Sequence, residues 1–342
     1  PFHDPQHTGR SQYSTASNPY RIQWNISLPS AYCDFGELVI DSSGTVYVPV
    51  FDTLYAIAPN GTIKWRFFSP LSQDSVIFSP VIDRYGTIYT IVSDGYFPAR
   101  EGAGLYALYP NNGTVKWVFS PVFNDTRWHI YSLTVTSDNR IIAISDGPGD
   151  PYYGTTYYLH ALLPNGSLLW RSSSHFSQPS SQVLYPAIDE TGNIYCTTLR
   201  SVYIFYPNGT LKTSWNHGGY EPQYIGIGPE QTIYLDGMTI DYPRLYALYP
   251  DGTIKWRAGY TRGGFPTFTN DTIYITDGYN YTLFALRTSD GSVKWSLKDV
   301  GYPIAIDSEG IIYTYNYNHI GDPPPDLYAI WPDGRIKDRI FL

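Results

Sequence analysis

The chain has 342 residues, among them 34 Tyr, 9 Trp and 15 Phe, and only 15% of its side chains are charged; so aromatic a composition excludes intrinsic disorder, which goes with too little apolar surface to offset the entropy of ordering. Thirty acidic against 22 basic residues leave a formal charge of −8, which argues against a nucleic-acid partner because phosphate binding needs clustered Lys and Arg. No apolar run approaches the roughly 18 residues of a membrane span, and the two cysteines, Cys33 and Cys196, make neither a zinc or redox spacing nor a disulfide framework.

The chain starts at Pro1 rather than Met, as expected of a processed chain or a fragment whose targeting segment is already gone. Residues 1–19, with their Gly, Ser and Pro, are expected to form an extended lead-in. Residues 20–28, YRIQWNISL, look like a lone outer strand carrying Trp24. From there one unit recurs seven times.

Four landmarks keep their order in each unit. The first is a strand with a Tyr (Tyr47, Tyr89, Tyr195, Tyr234, Tyr274, Tyr313), Ile142 taking that place in the third unit. The second is Leu-Tyr-Ala or a variant, at Tyr55, Tyr106, His160, Tyr203, Tyr246, Phe284 and Tyr328. A Pro-Asn/Asp-Gly turn follows, and then a Trp: Trp65, Trp117, Trp170, Trp215 (two residues late), Trp256 and Trp295. Alternation of β-branched and aromatic residues is the period of a strand. Asn-Gly or Asp-Gly between two such runs marks a tight hairpin, because both residues tolerate positive φ.

Each unit therefore reads as four strands, A to D, with the Tyr on B, Leu-Tyr-Ala on C and the Trp on D. Four-stranded units of about 40–50 residues are propeller blades. The fold class is all-β: a single seven-bladed β-propeller of four-stranded antiparallel blades over residues 20–342, with an extra terminal strand. Because the Tyr and Trp series recur from blade to blade, they are expected to be packing rather than a cofactor site.

The unit G-x-x-Y…L-Y-A-L-x-P-x-G-x-x-x-W resembles the PQQ-like repeat family of β-propellers over nearly the whole chain, and residues 4–13, DPQHTGRSQY, resemble the lead-in that often precedes such repeats. The resemblance is specific for fold and poor for function. It covers quinoprotein dehydrogenases, outer-membrane assembly scaffolds, lumenal stress-sensor domains and many members with no quinone. The quinone enzymes usually have eight blades, a vicinal Cys–Cys disulfide against the cofactor and a calcium ion; seven units without adjacent cysteines match no such site, so no catalytic, cofactor or metal residue is carried over and a non-enzymatic member is expected.

Propellers usually close by completing the last blade with a strand from the other end of the chain. Trp24 and its strand are expected to fill the D position of blade seven. The final segment GRIKDRIFL, with Asp338 where the Trp should stand, would then lie outside it or pair with a neighbouring molecule.

The A–B and C–D turns stay short while the B–C and D–A connections vary, so the variable loops gather at one face. Loops on a rigid scaffold are the usual place for binding, and Tyr96, Tyr152, Tyr153, Tyr242, Tyr279, Tyr281 and Tyr317 mark that face as the interaction surface. The opposite face is assigned the Asn-x-Ser/Thr sequons: Asn25, Asn60, Asn112, Asn124, Asn165, Asn208, Asn270 and Asn280. Four of them, Asn60, Asn112, Asn165 and Asn208, sit in Asn-Gly turns whose own chemistry supplies most of the motif; later units use Asp251, Asp290 and Asp333 there. The other four exceed chance, and with few Lys and a non-Met start they imply a secreted or cell-surface glycoprotein.

Scattered loop histidines (His129, His175, His217, His319) come from different blades, and loop acids (Asp94, Glu101, Asp146, Asp150, Asp322, Asp326) show no calcium-loop rhythm, so neither set is assigned a metal. Cys33 and Cys196 lie nearly across the ring, too far apart for a disulfide. The reading is a secreted, N-glycosylated structural module that self-associates into a filament or surface layer through its loop face, rim or terminal strand, with covalent N-glycans and no cofactor. A lectin-like propeller, with Tyr stacking on sugars, is the alternative, ahead of a quinoprotein dehydrogenase.

Overall fold

The computed structural model describes residues 24–28, 38–71, 75–94, 99–148, 155–172, 176–178, 186–198, 201–216, 221–238, 245–259, 266–277, 282–316 and 326–341. The lead-in 1–19 and Cys33 lie outside these residues. The chain is a seven-bladed β-propeller of antiparallel sheets, each built in the order A-B-C-D, as the repeats imply.

Two compact units divide it, Ile22–Pro186 with Tyr206–Leu211, and Ala187–Phe205 with Lys212–Leu342. In the first, blade one runs Val39–Ile40, Val46–Val50, Thr53–Ile57 and Ile63–Phe68. Blade two has its A strand in two pieces, Val76–Ile77 and Val81–Ile82, before Ile88–Ser93, Gly104–Leu108 and Val115–Phe119. Pro80 lies between the two pieces, and proline cannot donate to a ladder. Blade three consists of Ile130–Val135, Ile141–Gly147 and Thr155–Leu162, with a D strand in two pieces, Leu168–Arg171 and Phe176–Gln178.

In the second unit, blade four has Ala187–Ile188, Ile194–Thr197 and Ser201–Phe205, with Leu211–Asn216 as its D strand. Blade five is Glu221–Ile227, Ile233–Met238, Leu245–Leu248 and Ile254–Ala258, and blade six Thr267–Phe268, Thr272–Asp277, Thr282–Arg287 and Val293–Lys298. Blade seven is Tyr302–Ile306, Ile312–Asn316, Asp326–Ile330 and Ile336–Phe341.

The recurring residues occupy one register. Tyr47 on strand B stands opposite Ala56 on C, which stands opposite Trp65 on D. The same row is Tyr89–Ala107–Trp117, Tyr234–Ala247–Trp256 and Tyr274–Ala285–Trp295. Alanine between the two aromatics lets their rings meet above it, with centroids 5.6 Å apart for Tyr47–Trp65 and 5.7–5.9 Å apart in the other three rows, within the range of favourable tilted pairs.

Strand B's tyrosine is also tied at its hydroxyl. Tyr47, Tyr89 and Tyr195 each donate at 2.9 Å to the Asp that ends strand A (Asp41, Asp83, Asp189), and Tyr313 donates to Asp307 at 3.3 Å. The same carboxylates accept backbone N–H groups of their A–B turns, such as Ser43 and Thr45 at Asp41. Burial pulls the Asp41 carboxyl upward, but the bonds from Ser43, Thr45 and Tyr47 outweigh it and hold the group below its ordinary value.

Each tryptophan then reaches the next blade. Trp65 donates its indole N–H to the Pro110 carbonyl at 2.9 Å and lies flat against Gly113, so that a Cβ there would fall 2.5 Å from the ring. Trp117 to Pro164, Trp256 to Thr288 and Trp295 to Pro332 repeat the bond at 2.8–2.9 Å. Trp170 packs on Gly209 and Trp215 on Gly252 without that bond, and at blade four the Pro207 carbonyl accepts from Arg140 at 2.8 Å instead.

The terminal strands correct one expectation. The D position of blade seven is filled by Ile336–Phe341, with Asp338 opposite Ala329 in the tryptophan register. The Pro332–Asp333–Gly334 turn is too short to send the chain anywhere but beside the strand it has just left. Residues 24–28 form no described strand. They alternate nonetheless: Asn25 and Ser27 are exposed, and Trp24, Ile26 and Leu28 pack on Val50, Tyr55 and Ile57 of blade one. Trp24 donates to the Pro59 carbonyl at 2.7 Å and covers Gly61, the contact that the other tryptophans make on the blade after theirs.

If the indole-on-glycine contact holds adjacent blades, Gly113→Ala should cost clearly more than Gly310→Ala. Both residues have positive φ, +70° and +82°, and both variants bear roughly 1–2 kcal/mol for that conformation. A Cβ at Gly310 meets only Pro332, at 3.2 Å. Denaturant midpoints of the two variants measure the difference.

Candidate functional site

Three features of the described residues have the chemistry of a site. The first is the set of C–D turns. Asn60, Asn112, Asn165 and Asn208 are exposed, and each points Oδ1 back at the Thr or Ser two residues on, accepting from its backbone N–H at 3.0–3.1 Å and its hydroxyl at 2.7–2.8 Å. Asp251 makes the same pair of bonds with Thr253. The turn therefore needs an oxygen at this place, and the amide nitrogen of the asparagines adds nothing to its stability.

Asn25 is exposed beside Trp24 on the blade-one turn, and Asn270 is exposed in the A–B turn of blade six, whose carbonyl accepts from Thr288 at 3.3 Å. Asn124, also exposed, sits in the Val122–Phe123/Thr126–Arg127 hairpin. That hairpin follows the D strand of blade two, at the opposite end of the strands from the Asn112 turn, so the sequons do not all share one face. Asn280 lies outside the described residues, as do all seven loop tyrosines: Tyr96, Tyr152, Tyr153, Tyr242, Tyr279, Tyr281 and Tyr317.

The second feature is one that spacing did not suggest. His129, before strand A of blade three, lies between Asp94 at the end of strand B in blade two and Asp146 at the end of strand B in its own blade. Nε2 is 3.2 Å from Asp94 Oδ1, Nδ1 is 3.8 Å from Asp146 Oδ2, and the His129 backbone N–H donates to Asp146 Oδ1 at 2.6 Å. Tyr131 donates to Asp146 Oδ2 at 3.0 Å, and Arg100 stands 3.5 Å from Asp94. The three central side chains are at most 8% exposed. Asp146 raises the His129 pKa most, burial opposes it, and Asp94 adds to the rise, so the imidazole titrates above the ordinary histidine range. The cluster is a buried charge clamp between two blades. Of the other loop histidines, His175, His217 and His319 lie outside the described residues, and among the described residues no three His, Cys, Asp or Glu side chains are placed to hold a metal ion.

A second histidine in blade three behaves oppositely. His160 replaces the tyrosine of strand C and shares a 2.8 Å hydrogen bond with Ser145 Oγ. Burial, with the charge of Arg171 acting in the same sense, pushes it down to about 3. Cys196 is likewise buried and free, its thiol raised by burial alone.

The third feature is a depression of about 520 Å³ in the second unit, lined by Asp189, Glu190, Gly228, Glu230, Gln231 and Asn270 among others. Glu230 and Gln231 are both left-handed, with φ of 56° and 55°. Glu230 is paired with Lys255 at 3.0 Å.

Comparison with known proteins bears on the fold. A family model described as the outer membrane protein assembly factor BamB matches residues 155–312. No curated protein matches the chain. Among solved structures, the chain is similar to streptogramin B lyase, with a TM-score of 0.56 and 13% identity over 84% of this chain and 92% of that one. It is similar to a catalytically inactive virginiamycin B lyase from Staphylococcus aureus with quinupristin, with a TM-score of 0.53 and 12% identity over 88% and 94%. A chain of the Mitotic Checkpoint Complex matches with a TM-score of 0.54 and 13% identity over 82% and 86%. Likeness at this identity establishes the fold alone.

The two histidines set opposite limits on stability. His129, with its folded pKa raised, contributes fully below the unfolded value of about 6.5, and that contribution is lost as pH rises through the higher folded value. His160, with its folded pKa lowered, contributes above about 6.5 and loses that contribution as pH falls toward 3. Unfolding midpoints across pH should show His129→Gln flattening the alkaline fall and His160→Phe, the residue type of Phe284, flattening the acid one.

Proposed function

Taking the chain as a member of the PQQ-like repeat β-propellers, we propose that it is a secreted, N-glycosylated and non-catalytic assembly module that joins copies of itself along the outer strands of its blades. The observation that carries this reading is the edge of blade three. Among the described residues every D strand is the last in its sheet and so forms its outer edge, and such edges are templates for strand addition.

A bulge at the start of the D strand sets the character of that edge. In blade one Ala56 pairs Trp65 and Ile57 pairs Ile63, so Lys64 is the extra residue. Lys116, Lys255 and Lys294 are the extra residues of blades two, five and six. The four lysines bond threonines at the start of strand B, Thr45, Thr87, Thr232 and Thr272, at 2.6–3.3 Å, while Lys64 and Lys116 stay exposed. Each therefore places a positive charge on the outer strand of its blade. In blade three the extra residue is Leu169, 47% exposed, next to Leu168, 49% exposed. Two adjacent exposed leucines on an open edge favour a second, equally apolar edge as the partner. Both terminal segments have partners in their own chain, so a spare strand no longer contributes to the reading.

The exposure of Asn25, Asn60, Asn112, Asn124, Asn165, Asn208 and Asn270 supports the glycoprotein part. Light scattering on native material should give particles larger than one chain, and Leu169→Lys, which restores the residue of the other blades, should reduce them to monomers. A monomer at high concentration would end the assembly reading. Intact mass should fall after amidase removal of N-glycans from secreted material, and an unchanged mass would end the glycoprotein reading.

A further inference from the structure

Two of the sequon turns carry an aromatic residue where a sugar would begin. In blade four the turn is Tyr206–Pro207–Asn208–Gly209–Thr210. The Gly209 N–H donates to the Tyr206 carbonyl at 2.9 Å, and the Tyr206 N–H donates to the Thr210 carbonyl at 2.9 Å. Tyr206 and Thr210 are thus direct neighbours across the hairpin. Asn208 Oδ1 is held by the Thr210 N–H at 3.1 Å and its hydroxyl at 2.8 Å. With its oxygen engaged by Thr210, the carboxamide keeps Nδ2, the atom a glycan joins, out of the turn's own bonding, on a hairpin whose ends are Tyr206 and Thr210. Tyr206 is 45% exposed.

Blade two repeats this with one more residue, Tyr109–Pro110–Asn111–Asn112–Gly113–Thr114. The Tyr109 N–H donates to the Thr114 carbonyl and the Gly113 N–H to the Tyr109 carbonyl, both at 2.9 Å, and Asn112 Oδ1 accepts from Thr114 twice. Tyr109 is also 45% exposed, and Lys116 Nζ lies 4.9 Å from its ring centroid on one side. Neither turn can drift, because Gly113 rests on Trp65 and Gly209 on Trp170.

We infer that Tyr206 and Tyr109 are sugar platforms, each stacking its ring on the first N-acetylhexosamine attached to Asn208 or Asn112 and so locking the glycan to the C–D hairpin. This rests on the N-glycosylation proposed above. In the attachment, Nδ2 bonds to the anomeric carbon of a glycosyl pyrophosphate donor, the bond from that carbon to the pyrophosphate oxygen breaks with its electron pair leaving on pyrophosphate, and the proton lost from Nδ2 passes to a base. One face of the pyranose then presents axial C–H groups, which suit the electron-rich face of a phenol ring through dispersion and weak C–H contacts. The exposed part of the ring, 45% in each case, is covered.

Other blades separate the two ingredients. Asn60 and Asn165 keep the same side-chain bonds but follow Ala58 and Leu163, which offer no ring. Tyr249 and Trp331 offer exposed rings, 48% and 37%, but precede Asp251 and Asp333.

The test uses the full chain from a secretory eukaryotic host. Glycopeptide mapping should find Asn208 and Asn112 occupied; vacant sites would overturn the glycosylation reading and this inference with it. On occupied protein, trimming each glycan to its first sugar should leave the melting temperature unchanged, and amidase removal should lower it by about 1–2 °C per site. In a Tyr109→Leu/Tyr206→Leu variant removal should have no such effect, and in the parent the first sugars at Asn112 and Asn208 should show upfield ring protons that those at Asn60 and Asn165 lack. Asp251→Asn should gain a glycan with the same upfield signature over Tyr249. Occupied sites with an equal loss in both proteins and no upfield protons would overturn the platform while leaving the glycosylation reading intact.

Discussion

One contact organises this molecule: an indole laid flat on a glycine of the neighbouring blade. The glycine must lack a side chain because Trp65 already fills the space a Cβ would take at Gly113. The tryptophan must reach across, so it stands on the outer strand, and the tyrosine two strands inward supports it over an alanine. Tyr, Ala, Trp and the Pro-Asn-Gly turn are therefore one continuous piece of packing that crosses a blade and ends on the next, rather than four independent motifs. Where the row changes, its consequences stay local. Ile142 replaces the tyrosine in blade three, and there the indole nitrogen has no partner while the Pro207 carbonyl accepts from Arg140.

The same logic explains why so few charges suffice. The lysine at the D-strand bulge bonds the threonine at the start of strand B, and the aspartate ending strand A bonds its own turn and the tyrosine hydroxyl. These charges act within their blades. Arg140 reaches the Pro207 carbonyl of the next blade, and the His129 cluster goes further, joining carboxylates of two blades and holding charge where water is scarce. A buried group of this kind stabilises only while all members keep their protonation states.

What could be read from the sequence follows from this division. Strand order, the blade count and the roles of the Tyr and Trp series were legible because each contact recurs with the repeat and leaves a periodic trace. The bulge lysines recur as well, but Lys64 and Lys116 look like regularly paired residues of an outer strand until the pairing register shows them displaced. The His129 clamp was not legible: Asp94 and Asp146 lie 35 and 17 residues away on opposite sides in the chain, and the pairing happens once, so no periodicity reveals it. The C-terminal strand was misplaced for a related reason. Asp338 breaks the tryptophan series, yet a strand's position depends on its hairpin turn and backbone pairing, which a single side chain does not alter.

The indole contacts also set an order of events for a chain emerging from the ribosome. Each tryptophan that donates to a turn carbonyl finds it 32 to 47 residues further along, so a blade can form its own sheet at once but stays uncovered on its outer row until most of its successor has been made. Trp24 precedes the first blade and meets Pro59 35 residues further on. The first blade synthesised therefore receives its cover from chain already outside, and the growing end is the part left sticky. Contacts this local favour folding that advances with synthesis from the N-terminal side, with exposed tryptophan confined at any moment to the newest blade.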